Sequence, residues 1–243
     1  MAKSAMARPA TSVGLCLEFL MMQTFLLARS PTENAAGSPG QAEIGKRYFN
    51  LALALLILAA LSPVLVVLAV GVRLSGRQII FAHERVGKDG VSFRCFKFRS
   101  MQVDAEARLE ELLANSSEAR AEWARDFKLK HDPRVTRLGS FLRKTSLDEL
   151  PQLLNVVAGD MHLVGPRPIV AEELSRYGRH ARHYLSAKPG MTGLWQVSGR
   201  SDTSYRRRVV MDRAYVARQC MSLDLSILAR TALVIFGRKS GAY

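Results

Sequence analysis

The sequence predicts an α-dominated α+β protein: a re-entrant membrane helix broken at a Ser-Pro pair, followed by a cytosolic domain with a small β-hairpin. Three observations predict it. Leu51 to Val72 contain no charged side chain, and about 20 apolar residues let a helix cross a bilayer core. Short β-prone runs flank Gly87-Lys88-Asp89-Gly90, a tetrapeptide suited to a hairpin turn. Most of the remaining chain reads as amphipathic helix.

Composition sets the outer bounds. The 243 residues suffice for one sizeable domain plus a smaller segment, or for two small domains. A hydrophobic content of 48% excludes a disordered tail. The net charge of +14 points to anionic partners, whether nucleic acid, anionic lipid or phosphorylated small molecules. Cys16, Cys95 and Cys220 stand apart, outside any CxxC or Cys/His cluster, which argues against a disulfide framework or zinc site and for a reducing environment.

Residues 1–45 read as a variable N-terminal segment. Within it, "SVGLCLEFLMMQTFLLA" (12–28) suggests an amphipathic or surface helix rather than a secretory signal, because Glu18 and Gln23 interrupt it and no small-residue cleavage site follows. The Ser-, Pro-, Gly- and Ala-rich run 30–43 reads as a linker. Residues 46–75 form the membrane helix. Pro63 removes a backbone donor at its centre, and basic residues flank both ends: Lys46 and Arg47 before, Arg73 and Arg77 after. A helix that enters and leaves on one face keeps both basic ends cytoplasmic; a plain kinked span is the alternative.

Residues 76–243 form the soluble domain. After the hairpin, Asp104 to Lys130 reads as one long helix with Leu109, Leu112 and Leu113 on its buried stripe. Further helices are expected near 169–187 and 202–219. The run 223–237, which contains Arg230, reads as a core or interfacial helix.

The chemistry centres on "LRKTSLDELPQLLNVVAGDM" (142–161). Ser146-Leu147-Asp148-Glu149 matches a capping box, in which Ser146 accepts from the first turn and Glu149 reaches back. The surroundings suggest more. In Gly165-Pro166-Arg167-Pro168 two prolines stiffen an arginine suited to phosphate oxygens. In "KPGMTGLWQVSGR" (188–200), Pro189, Gly190, Gly193 and Gly199 surround Trp195 and Gln196, and the glycines would permit close approach to a ligand. Lys97 and Arg99 could reach a phosphate or simply anchor the hairpin. "RYGRHARHY" (176–184) and Arg206-Arg207-Arg208 read as a solvated or lipid-facing basic face. His180 and His183 lack a metal-site pattern, and Trp123 and Trp195 read as packing or interfacial residues. A carboxylate pair among arginines beside a membrane segment suggests phosphate-ester chemistry at the bilayer surface. One carboxylate would act as nucleophile, and arginine with Mg²⁺ would neutralise the phosphate.

Four stretches carry a resemblance: "KRYFNLALALLILAALSPVLVV", "ERVGKDGVSFRCFKFRSM", "DPRVTRLGSFLRKTSLDELPQLLNVVAGDMHLVGPRP" and "PGMTGLWQVSGR". In this order, from about Lys46 to Tyr243, the chain resembles the bacterial sugar transferases, or monotopic phosphoglycosyl transferases, and among them the galactosyl-phosphate transferases that begin exopolysaccharide assembly. The resemblance implies transfer of a sugar 1-phosphate, galactose or glucose, from a UDP-sugar to undecaprenyl phosphate with release of UMP. It implies Asp148 as nucleophile forming a sugar-phosphoryl aspartate, and Glu149 as dyad partner that aids proton transfer or, with Asp148, holds Mg²⁺. Arg143 and Arg167 are the implied phosphate-binding residues, and Lys97 and Arg99 stand as further phosphate-binding candidates beside them. Gln196, Gly199 and Arg200 lie at the implied nucleotide end, and Ser62-Pro63 at the helix break. The implied location is the bacterial cytoplasmic (inner) membrane with the catalytic domain facing the cytoplasm. The implied partners are the donor, the lipid acceptor and membrane lipids, without nucleic acid, and a homo-oligomer is compatible. Asn50 stands where the family usually has Asp, which would weaken a polar anchor at the start of the helix. The rival readings are a non-catalytic, basic, membrane-tethered adaptor and a scaffold of a polysaccharide complex.

Overall fold

The computed structural model describes residues 39–75, 78–126, 129, 132–198 and 203–236. The segment read at 12–28, most of the linker, and the site candidates Gly199 and Arg200 lie outside the described residues. The contacts below belong to the unit Ile44–Tyr243.

Helix α1 runs Pro39–Ser75 with Pro63 inside it. Proline cannot donate to the carbonyl four residues back, Ala59. The Ser62 hydroxyl donates to that same Ala59 oxygen at 2.8 Å, so the orphaned acceptor is satisfied locally. Glu43–Ser75 is long and apolar enough to cross a membrane, by length and composition. Asn50, Ala54, Leu68 and Val72 are buried, with Leu58, Leu61 and Leu65 half-buried between them. That spacing is one stripe of a helix. Leu55, Leu56, Val64, Val66, Val67 and Val70 are exposed on the remaining faces.

Strands β1 (Ile80–Val86) and β2 (Ser92–Phe98) form the expected antiparallel hairpin, with Val86 opposite Ser92. Asp89 and Gly90 both take positive φ, 57° and 80°, the conformation that an Asp-Gly hairpin turn requires. The long helix expected over 104–130 is divided into α2 (Ala105–Asn115) and α3 (Ser117–Asp126). Ser116 takes an extended conformation there, and its Oγ accepts from Ala119 N at 3.1 Å. Serine competes with the helical hydrogen-bond ladder in this way, and the stripe of Leu109, Leu112 and Leu113 is only half-buried.

Helices α4 (Arg137–Thr145) and α5 (Gln152–Ala158) bracket a turn, Leu147–Glu149. Strand β3 (His162–Val164) then pairs in parallel with β4 (Gly190–Thr192), across α6 (Ala171–Tyr177) and α7 (Ala181–Leu185). Helices α8 (Tyr205–Arg218) and α9 (Met221–Phe236) complete the described chain.

One apolar cluster joins Ala54 of α1 to Cys95, Leu153, Val156, Met161 and Leu163. A second joins Leu68 and Val72 of α1 to Phe98 and Leu142. Leu150 packs against both. The base of α1 is also held by polar contacts. Arg47 donates to Val156 O at 2.5 Å and Val157 O at 2.7 Å, covering the last carbonyls of α5. Lys46 pairs with buried Asp224 at 2.8 Å. Asn50 corrects the expectation of a weakened anchor. Its Oδ1 accepts from Leu163 N at 2.6 Å and its Nδ2 donates to Lys46 O at 2.7 Å. An amide meets both demands; a carboxylate would supply no donor.

Candidate active site

The turn that carries Asp148 and Glu149 is made by the end of α4. Thr136 caps its N-terminus, accepting from Gly139 N at 2.9 Å. At its C-terminus Ser146 adopts a left-handed conformation, φ 57°, and its N–H bonds back to the helix. The capping-box expectation therefore does not hold: Ser146 makes no side-chain cap. Glu149 reaches away instead, accepting from Lys97 Nζ at 2.6 Å. The left-handed residue reverses the chain after one turn, and Asp148 becomes buried, 8% exposed.

Lys97 comes from β2, which is tied to α5 by Asn155. This fully buried amide accepts from Phe96 N at 3.0 Å and donates to Arg94 O at 2.7 Å. Arg143 lies in the last turn of α4, its Nε donating to Ser100 Oγ at 2.9 Å. Arg167 stands in the loop after β3. Tyr184 holds that loop to the hairpin: its hydroxyl donates to Val86 O at 2.7 Å and accepts from Ile169 N at 3.2 Å. Arg85, Cys95, Lys97, Glu149, Gln152, Arg167, Pro168, Met191 and Gln196 line one pocket. Asp148 is not among its lining residues; it lies buried one position before Glu149.

The environments of the two carboxyls differ. Burial raises Asp148 to about 6, with the Glu149 charge adding to it and Lys97 and Arg143 opposing. Burial also acts to raise Glu149, but Lys97, Arg167 and Arg85 outweigh it and hold that carboxyl below its ordinary value. Near neutral pH the pair is therefore ionised, with Asp148 the more basic of the two carboxylates.

The structure divides the expected phosphate-binding residues. Lys97 and Arg167 share the pocket, and Arg143 acts on Asp148 electrostatically. Arg99 does not join them. Strand β2 ends at Phe98, and the Arg99 guanidinium instead bonds Gln78, lies over Phe81, and faces a different pocket beside Val72 and Thr136. The glycines of 188–193 correct a second expectation. A Cβ on Gly190 would lie 2.0 Å from Gly165 N, and one on Gly193 would lie 2.4 Å from Gly165 O. Their close approach is to the Arg167 loop rather than to a ligand, and Gln196, which follows them, lines the same pocket as Glu149. Arg206 and Arg207 are exposed as expected, but Arg208 turns inward beside Trp195, its guanidinium 4.7 Å from the ring centroid. Helical spacing could have signalled this, since Arg208 and Asp212 lie four apart on the buried face. Arg85, which also lines the pocket, gives no signal in the sequence, because a lone arginine on a strand carries no motif of its own.

The donor set at the pair fits Mg²⁺. Among the described residues no group of three or more His, Cys, Asp or Glu converges, so these residues form no all-protein cage. Mg²⁺ usually takes one or two carboxylates together with substrate phosphates and water, and Asp148 with Glu149 supply that number.

The bacterial sugar transferase model matches residues 41–238. The chain belongs to the bacterial sugar transferase family. This family member is 54% identical over 198 residues to the undecaprenyl-phosphate galactose phosphotransferase of Salmonella typhimurium, covering 82% of this chain and 41% of that protein. It is equally similar, 54% over 198 residues, to the UDP-galactose-lipid carrier transferase of Erwinia amylovora, again 41% of the relative. The exopolysaccharide production protein ExoY of Sinorhizobium fredii is 47% identical over 189 residues, 77% of this chain and 84% of that protein. The chain described here thus spans about two fifths of the first two relatives and most of the third.

Proposed function

We propose that the protein transfers a sugar 1-phosphate, galactose or glucose, from a UDP-sugar to undecaprenyl phosphate, and so performs the first membrane step of exopolysaccharide synthesis. The names of the relatives support the substrate classes. The observation that carries the chemistry is Asp148: a buried carboxylate, raised to about 6, beside a Glu149–Lys97 pair and near Arg143.

A carboxylate oxygen of Asp148 attacks the β-phosphorus of the donor. The new P–O bond forms as the bond to the bridging oxygen breaks, and that oxygen leaves on UMP with its electron pair. Undecaprenyl phosphate then attacks the same phosphorus, and the Asp148 carboxylate departs. Lys97 and Arg167 offset phosphate charge during both transfers. Mg²⁺ bound by Asp148 and Glu149 with donor phosphate would supply Lewis-acid stabilisation of that charge.

The packing of α1 supports a re-entrant reading. Both halves of its stripe rest on the same unit, through Ala54 on one side of Pro63 and Leu68 and Val72 on the other. A straight crossing would carry one half away from that unit. In this reading the exposed apolar faces of α1 sit in the lipid, the basic ends stay cytoplasmic, and the pair meets the lipid phosphate at headgroup depth.

The test is UMP release from a panel of UDP-sugars by the detergent-solubilised full chain with undecaprenyl phosphate and Mg²⁺. Release with UDP-galactose or UDP-glucose, and a sugar-phosphate mass increment on Asp148 when acceptor is omitted, is the expected result. Full-rate release by Asp148→Ala would overturn the assignment.

A further inference from the structure

The arginines do not stop at the pocket over Glu149. Arg208 lies on the inward face of α8, one turn before buried Asp212. Its Nε donates to Thr203 O at 3.0 Å, and its terminal amino groups have no acceptor among the described residues. Arg167 has no hydrogen bond or ion pair among the described residues; it contacts the indole of Trp195, with Cζ 5.8 Å from the centroid. Arg208 contacts the same indole at 4.7 Å. The ring itself is 5% exposed, and its Nε1–H is buried without an acceptor. A buried donor left unpaired is costly and rare. The Arg167 guanidinium, the terminal amino groups of Arg208 and an indole N–H, all without acceptors among the described residues, therefore gather around one ring.

The nearby acids do not neutralise them. Glu173 is 3.7 Å from Arg85. Burial raises Asp212 to about 7 against the Tyr177 hydrogen bond and the charges of Arg167 and Arg208, so it carries less than a full charge near neutrality. Burial and then the Arg167 charge lower both Arg85 and Arg208, as expected for cations crowded together before an anion arrives.

We propose that Arg208, held with Arg167 on the Trp195 indole, forms a second anion subsite that takes the nucleotide-side phosphate of the donor. This rests on the donor being a nucleoside diphosphate sugar. Arg167 is the shared member: it faces the sugar-side phosphate in the pocket with Lys97 and Glu149, and the nucleotide-side phosphate with Arg208. A planar fork suits two oxygens of one phosphate, and stacking on the indole fixes its orientation beforehand. The subsite retains UMP after the β-phosphorus has moved to Asp148.

The experiment is calorimetry on the full chain in detergent, in an Asp148→Asn background that cannot turn over. UMP and, separately, undecaprenyl phosphate in mixed micelles are titrated. Arg208→Gln should weaken UMP about tenfold or more and leave the lipid phosphate unchanged. Arg206→Gln with Arg207→Gln should change neither. If Arg208→Gln loses its fold by melting temperature, Arg208→Lys carries the test, because it keeps the charge but not the fork and should still weaken UMP severalfold. Unchanged UMP affinity in the folded variant, or an equal loss for the lipid phosphate, overturns the subsite alone. Failure of the parent to bind UMP overturns the nucleotide-donor assignment and the subsite with it.

Discussion

In its proposed role as nucleophile Asp148 would combine two properties that usually conflict, since burial protects such a group from water yet disfavours the charge it needs. With its carboxyl raised to about 6, the group is ionised at neutral pH but more basic than an ordinary aspartate. Asp148→Asn should lower UMP release by about a thousandfold or more, as loss of a nucleophile does. The kcat/KM of the native protein should fall as pH drops through about 6, following protonation of that carboxylate. Lys97 opposes the rise, so Lys97→Met should move this acid limb to higher pH as well as lowering the rate. Stability has the opposite sign. The folded value lies above 3.8, so the folded state holds the proton more tightly and stability falls as pH rises from about 4 to 6. Above that range the cost is about 3 kcal/mol. Asp148→Asn removes it, and melting curves in detergent should show the variant gaining stability over the parent at pH 8 but little at pH 4.

Elements meet here through backbone contacts that particular residues alone permit. Asn155 is the hinge between β2 and α5, and so between Lys97 and the Asp148 turn. Asn155→Ala leaves Phe96 N and Arg94 O without their partners; a loss of about 2–4 kcal/mol is expected from two buried groups left unpaired. Urea titration checks this, and the variant should also lose activity in proportion to Lys97 displacement. Gly190 and Gly165 form the matching joint between β3 and β4. Gly190→Ala would drive a methyl to within 2.0 Å of Gly165 N, a backbone atom that cannot turn aside. This substitution should abolish a cooperative thermal transition or lower its midpoint by many degrees.

At the scale of the unit Ile44–Tyr243, the long apolar helix packs against the rest of the fold at both of its halves. Lys46, Arg47 and Asn50 fasten the start of α1, while Leu68 and Val72 fasten its second half, so this apolar helix also sets the position of the candidate site. Topology can be read directly. In a background with Cys16 and Cys220 changed to Ser, Gly45→Cys and Ser75→Cys should both react with a membrane-impermeant maleimide in inverted vesicles. Neither should react in spheroplasts. Labelling of the two positions from opposite sides would establish a crossing helix instead.

Much of this was legible along the chain because it depends on local chemistry: the charge-free run, the Asp-Gly turn, the serine beside Pro63, and the acid pair between arginines. What depended on distant partners was not. Glu149 reads as a cap until Lys97, 52 positions away, claims it. Arg99 and Lys97 read alike until the strand ends between them. The glycines near Trp195 suggest a ligand until Gly165 fills the space, and Arg208 looks like part of a basic run until helical phase turns it inward. Sequence by itself supplied the acid pair proposed to react, since the identity of a side chain is its chemistry. Only tertiary structure decided which cations face them, because a few ångströms and the exclusion of water set the strength of every charge in the site.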